Sequence, residues 1–132
     1  MAAKSSYLND IILNLVLTNT SYTQPTLVYV GLFTSDGGLA DNNIPTQTEI
    51  SGGSYSREAI TFGPAGSGTI SNIGTVTFST ATADWGTITH VGIMDASSAG
   101  NVLYWSALDS SIVINTNGIF TVDPGDFDIT ES

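Results

Sequence analysis

Two hydrophobic periods divide the chain. Leu8, Ile11, Ile12, Leu15 and Val16 fall at i, i+3, i+4, i+7 and i+8, one apolar stripe of a helix over about residues 6–17. Ser5 or Ser6 is placed to cap it, and Asp10 sits towards the positive end of its dipole. Thr18-Asn19-Thr20-Ser21 ends it with residues that favour turns. Past Pro25 the period becomes strand-like: residues 27–34 (Leu-Val-Tyr-Val-Gly-Leu-Phe-Thr) are a nearly continuous β-forming run, as in a central strand covered on both faces. Residues 35–54 hold Gly, Asn, Pro and Ser with few large apolar side chains and read as the longest loop, a length usually kept for function.

From Tyr55 onward the pattern is strand, turn, strand. Segments 55–62, 69–71, 75–80, 87–94, 102–108, 111–115, 118–122 and 127–130 are strand-like, separated by Gly-, Pro- and Asn-rich breaks. Asn117-Gly118 is the strongest hairpin signal. About eight or nine short strands at this spacing predict a mainly β chain, an antiparallel β-sandwich of jelly-roll-like type with one N-terminal helix. The 132 residues fit a single domain, with no internal repeat or linker.

Composition then narrows the function. Charged residues are 11% of the chain, and twelve acids face Lys4 and Arg57, a formal charge of −10. Two cations cannot neutralise the phosphates that nucleic-acid binding requires, nor hold an anionic membrane surface. No apolar run approaches the roughly 18 residues of a membrane span. The N-terminal segment does not read as a leader, because Asp10 sits within it, Asn14 interrupts the apolar stretch 11–17 and no small-x-small cleavage site follows. There is no Cys, so neither disulfides nor thiolate chemistry is expected. The surface is instead rich in short neutral groups, with 16 Ser, 18 Thr and 14 Gly. Such side chains lose little conformational entropy on contact, which suits a protein packed against neighbours in an array.

Candidate chemistry is sparse. His90, the single histidine, lies mid-strand, and Gly66-Ser67-Gly68 lacks the first glycine and following helix of a nucleophile elbow. Asp123, Asp126 and Asp128 cluster near the C-terminus without the spacing of a calcium loop, and fit an acidic edge that discourages strand aggregation. No catalytic residue, metal or cofactor is expected. The aromatic residues Tyr55, Tyr104, Trp85 and Trp105 suit core or subunit contacts better than a sugar-stacking platform.

Three blocks carry a resemblance. They are residues 27–34, Ser51-Gly52-Gly53-Ser54-Tyr55-Ser56-Arg57, and residues 76–96, which include Thr80-Ala81-Thr82 and Trp85-Gly86-Thr87-Ile88-Thr89-His90-Val91-Gly92-Ile93-Met94-Asp95-Ala96; Gly100-Asn101-Val102-Leu103-Tyr104 continues them. Together with the helix they resemble a family of small tailed-bacteriophage virion proteins, variously labelled tail fibre or head decoration (cement) proteins. One departure is Glu58 after Arg57, which suggests a local Arg57–Glu58 polar site.

The resemblance implies a virion structural protein made in the host cytoplasm. The favoured expectation is a decoration protein on the outer surface of the phage head, a homotrimer that clamps neighbouring copies of the major capsid protein. The alternative is a tail fibre or baseplate-associated protein touching the host surface. Expected interface residues are Tyr7, Leu8, Ile11, Leu15, Tyr55, Arg57, Trp85 and Trp105.

Overall fold

The computed structural model describes residues 3–42 and 48–130. A two-residue strand, β1 (Ala3–Lys4), precedes the expected helix α1 (Ser6–Leu17). Ser5 is the N-cap: its hydroxyl accepts from the Leu8 amide at 3.2 Å and donates to the Val102 carbonyl. The cap therefore also fastens the helix to the sheet. Thr18 closes the other end, its amide donating to the Asn14 carbonyl at 3.0 Å.

The remaining elements are strands: β2 (Val28–Phe33), β3 (Glu58–Ile60), β4 (Thr69–Ser71), β5 (Val76–Thr77), β6 (Gly86–Met94), β7 (Val102–Ile114), β8 (Thr121–Val122) and β9 (Asp128–Thr130). Five form one antiparallel sheet in the order β1-β7-β6-β2-β3, while β4-β9 and β5-β8 form separate two-stranded ladders. Val30, Leu32, Ile88 and Ile93 of the sheet share a buried cluster with Val76, Val122 and Ile129 of the ladders and with Phe78, Phe120 and Phe127 beside them. Two β layers thus close on one core, a sandwich-like arrangement. The Phe78 ring stands edge-on to Phe120 at 5.6 Å and stacks with Tyr55 at 6.1 Å.

The continuous apolar run of β2 has a direct cause. Val30 and Leu32 point into the main core, while Phe33, with Tyr29 packed beside it, joins a second cluster with Leu39, Met94 and Val102 on the opposite face. Gly31 pairs with Gly92 of β6. A Cβ at either position would approach Phe33 Cε1 to 3.1 or 3.2 Å, so the two glycines leave room for that ring.

Two expectations need correcting. Segments 102–108 and 111–115 are not separate strands but one, β7. Ile88 pairs with Ile112 and His90 with Ala107, so residues 108–111 oppose Thr89 alone. Asp109-Ser110, which reads as a break, lies in a bulge that keeps the strand running. Asn117-Gly118 does make a turn, with Asn117 at φ 72° and the Gly118 amide donating to the Asn115 carbonyl at 2.8 Å. The flanking strands do not pair with each other, however: Ile114 pairs with Gly86 and Thr121 with Thr77, because the chain crosses between layers there.

The described part of the loop over 35–54 holds no helix and no strand beyond one bridge, and its end is fastened to β2. Thr48 accepts from the Thr34 amide at 2.8 Å, Glu49 bridges to Phe33, and buried Ile50 donates to the Leu32 carbonyl at 3.1 Å. Its end therefore lies along β2 as a structural strap. Residues 43–47 of this loop lie outside the described residues.

Candidate functional site

The eight expected interface residues separate by burial. Arg57, 8% exposed, lies inside the fold. Its Nε donates to Glu49 Oε2 at 2.7 Å and its Nη2 to Glu49 Oε1 at 2.8 Å, a parallel two-bond pair. Its Nη1 reaches the Ala96 and Ala99 carbonyls at 2.9 and 2.8 Å. The polar partner is therefore Glu49 rather than the adjacent Glu58. Burial works to lower the Arg57 pKa, but the hydrogen bonds and charge of Glu49 outweigh it and the net direction is upward.

Tyr55 completes this cluster. Its hydroxyl donates to Glu49 Oε2 at 2.9 Å and accepts from the Leu32 amide at 3.0 Å. Burial first, and the charge of Glu49 second, push its pKa far above the ordinary 10.0. Trp85 stands edge-on to Tyr55 at 5.4 Å, and its Nε1 donates to the Gly53 carbonyl at 2.9 Å. These residues join the strap, the 95–100 turn and the core.

Trp105 is half-buried against the second cluster, 6.2 Å from the His90 ring. Its Nε1 is buried with no hydrogen-bond partner among the described residues. Nδ1 of His90 lies 2.8 Å from the Thr89 hydroxyl. Ser67 sits in an exposed turn closed by Gly66 and Thr69. Of the C-terminal acids, Asp126 Oδ2 accepts from the Asp123 amide at 3.1 Å and Asp128 accepts from the Ser71 hydroxyl. Among the described residues no group of three or more His, Cys, Asp or Glu side chains is arranged to hold a metal ion. No helix among them is long and apolar enough to cross a membrane.

The helix is where the surface is unusual. Leu8 is buried on the sandwich, and Tyr7, Ile11 and Ile12 are half-buried. Beyond Ile12 the helix leaves the body. Leu13, Leu15, Val16 and Leu17 are 55%, 49%, 71% and 74% exposed, and Leu27 is 53% exposed. The apolar stripe holds Leu15 and Val16, whereas Leu13 and Leu17 lie on the other side of the helix. The available signal was that residues 13–17 (Leu-Asn-Leu-Val-Leu) are apolar nearly all round, a pattern that belongs to helices covered on every side.

A protein-family model described as podophage GP4 fiber I protein gp80 matches residues 3–130. A search of the curated proteins gave no match.

Proposed function

We propose, starting from the fact that the chain belongs to the podophage GP4 fiber I protein gp80 family of phage virion structural proteins, that it is a fibre-type subunit that holds its place in the particle through the free end of α1. The observation that carries this is the exposure of Leu13, Leu15, Val16 and Leu17 at the end of a helix whose first turns are anchored. Isolated exposed leucines are ordinary, but four exposed apolar side chains within residues 13–17, spread around the end of one helix, mark a contact surface. Covering it removes apolar area from water at about 25 cal/mol per Å², a gain large enough to outweigh part of the cost of association.

The mechanism is area rather than chemistry. The rigid sandwich, with Arg57, Tyr55 and Trp85 fixed inside it, holds α1 at a constant angle through the Ser5 cap. Short hydroxyl side chains around the apolar patch are buried with little loss of rotamer freedom. No residue in this mechanism forms or breaks a covalent bond.

Decoration of the head is the second reading, and the composition favours it. A surface poor in charge and rich in Ser and Thr suits repeated contact with many copies of the major capsid protein. In that setting the working unit is a homotrimer and α1 reaches the shell or a sister subunit. Mass-spectrometric quantification of purified virions separates the two. A few copies per particle support the fibre reading, hundreds support decoration, and none overturns both.

A further inference from the structure

Beyond attachment through α1, we propose that the open edge of β7, residues 108–114, pairs antiparallel with the same edge of a second copy about a two-fold axis at Ile112, so that two five-stranded sheets become one. β1 covers β7 only at Tyr104 and Trp105. Among the described residues no other strand lies on that side of β7, although β7 runs on to Ile114. An edge of this kind presents a row of unpaired amides and carbonyls, a template for another strand. The opposite edge of the sheet, β3, is only three residues long, a common way of blunting an edge. β7 is bent by its bulge over 108–111, but Ile112-Val113-Ile114 beyond it is apolar, β-branched and in regular register with β6.

The space beneath that edge is open too. Ile112 pairs with Ile88, a fully buried residue of the main core, so the two side chains share the core face of the sheet. Ile112 is nonetheless 40% exposed, and Val113 on the other face is 59% exposed. A cleft of about 390 Å³ is lined by Leu108, Ile112 and the buried residues Val91, Phe120 and Phe127. A strand added to the β7 edge satisfies the backbone and covers the mouth of this cleft in one step.

A second copy suits the edge for two reasons. The chain has a formal charge of −10, so most faces of two copies repel each other, yet residues 110–122 hold no charged side chain. The edge is also complementary to itself. With Ile112 on the axis, the two Ile112 side chains face each other beside the clefts. Asp109 of each copy then falls opposite Asn115 of the other, whose side-chain amide is a donor for a carboxylate. The two Asp109 carboxylates stay apart, one on each side of the axis.

This pairing does not depend on where the protein sits in a particle, so the purified full chain tests it and virion membership is left untouched by the result. Sedimentation equilibrium is expected to show a dimer that dissociates on dilution. Ile112→Lys places like charges opposite each other at the axis and is expected to weaken association by about tenfold or more. Because the chain has no Cys, Ile112→Cys reads the geometry separately. Under mild oxidation it is expected to form a disulfide-linked dimer, since a residue on the axis meets its own copy. Ile73→Cys, exposed beside Thr61 at the β3 end of the sheet, is expected to form none. A parent chain that is monomeric or trimeric at every concentration overturns the proposal. So does a dimer that survives Ile112→Lys and cross-links through Leu17→Cys instead of Ile112→Cys, which would move self-association to α1.

Discussion

Arg57 and Glu49 meet through two parallel hydrogen bonds of 2.7 and 2.8 Å, with the Arg57 side chain 4% and the Glu49 side chain 17% exposed. The chain's second cation is thus spent on its own architecture. The pair fastens the end of the strap to the 95–100 turn, since the same guanidinium also binds Ala96 and Ala99. Removing one partner leaves the other charged, buried and uncompensated. Arg57→Ala is expected to cost about 3–5 kcal/mol. Urea unfolding of the purified protein checks this, and a loss below about 1 kcal/mol would show the pair to be dispensable.

Tyr55 makes stability sensitive to alkali. Its pKa is raised on folding, so the neutral phenol is the form the fold favours. The unfolded chain loses this proton near the ordinary value of 10.0 while the folded protein keeps it. The contribution is complete below that value and is lost progressively as pH rises above it. Tyr55→Phe is expected to be less stable than the parent at pH 7, because two hydrogen bonds disappear, but to lose less stability between pH 9 and pH 11. Denaturation midpoints of the two proteins across that range test the slope.

Gly53 and Trp85 are matched in space. Gly53 has φ 58°, and a Cβ there would lie 2.9 Å from Trp85 Nε1. Gly53→Ala combines a left-handed backbone with a clash and is expected to destabilise by about 1–3 kcal/mol. Trp85→Ala leaves a large void beside Tyr55 and Phe78 and is expected to cost about 3–5 kcal/mol. Thermal unfolding measures both, and Gly52→Ala, with nothing within 4 Å of its Cβ, isolates the contribution of backbone strain alone.

The architecture was legible where local signals and packing agree. The helix limits follow from Ser5, the Leu8–Val16 stripe and Thr18-Asn19, because capping and periodicity act over a few residues. The buried nature of β2 was visible in its unbroken apolar run. What a single chain conceals is pairing. Nothing in Asp109-Ser110 distinguishes a bulge from a break, because the answer depends on Thr89 of another strand. The Asn117-Gly118 turn was readable, but not that the chain leaves one layer for the other there. Arg57 is similar: its partner Glu49 lies eight residues back, on the strap, rather than beside it in sequence. Periodicity does not reveal the exposure of Leu13 and Leu17, because the i, i+3, i+4 stripe marks only one side of the helix.

The apolar end of α1 separates attachment from folding. Leu13→Gln with Leu17→Gln removes exposed side chains only, so stability is expected to stay within about 0.5 kcal/mol of the parent. Incorporation into virions is expected to fall sharply. Normal unfolding with lost incorporation is the signature of a contact surface, whereas loss of both would assign these leucines to the fold.

An electron cryo-microscopy reconstruction of the intact particle tests the central claim most directly. The account predicts density for this sandwich on the virion, with residues 13–17 of α1 seated against a neighbouring protein. A particle without the protein, or one in which that end of the helix faces solvent while other surfaces make the contacts, would contradict it.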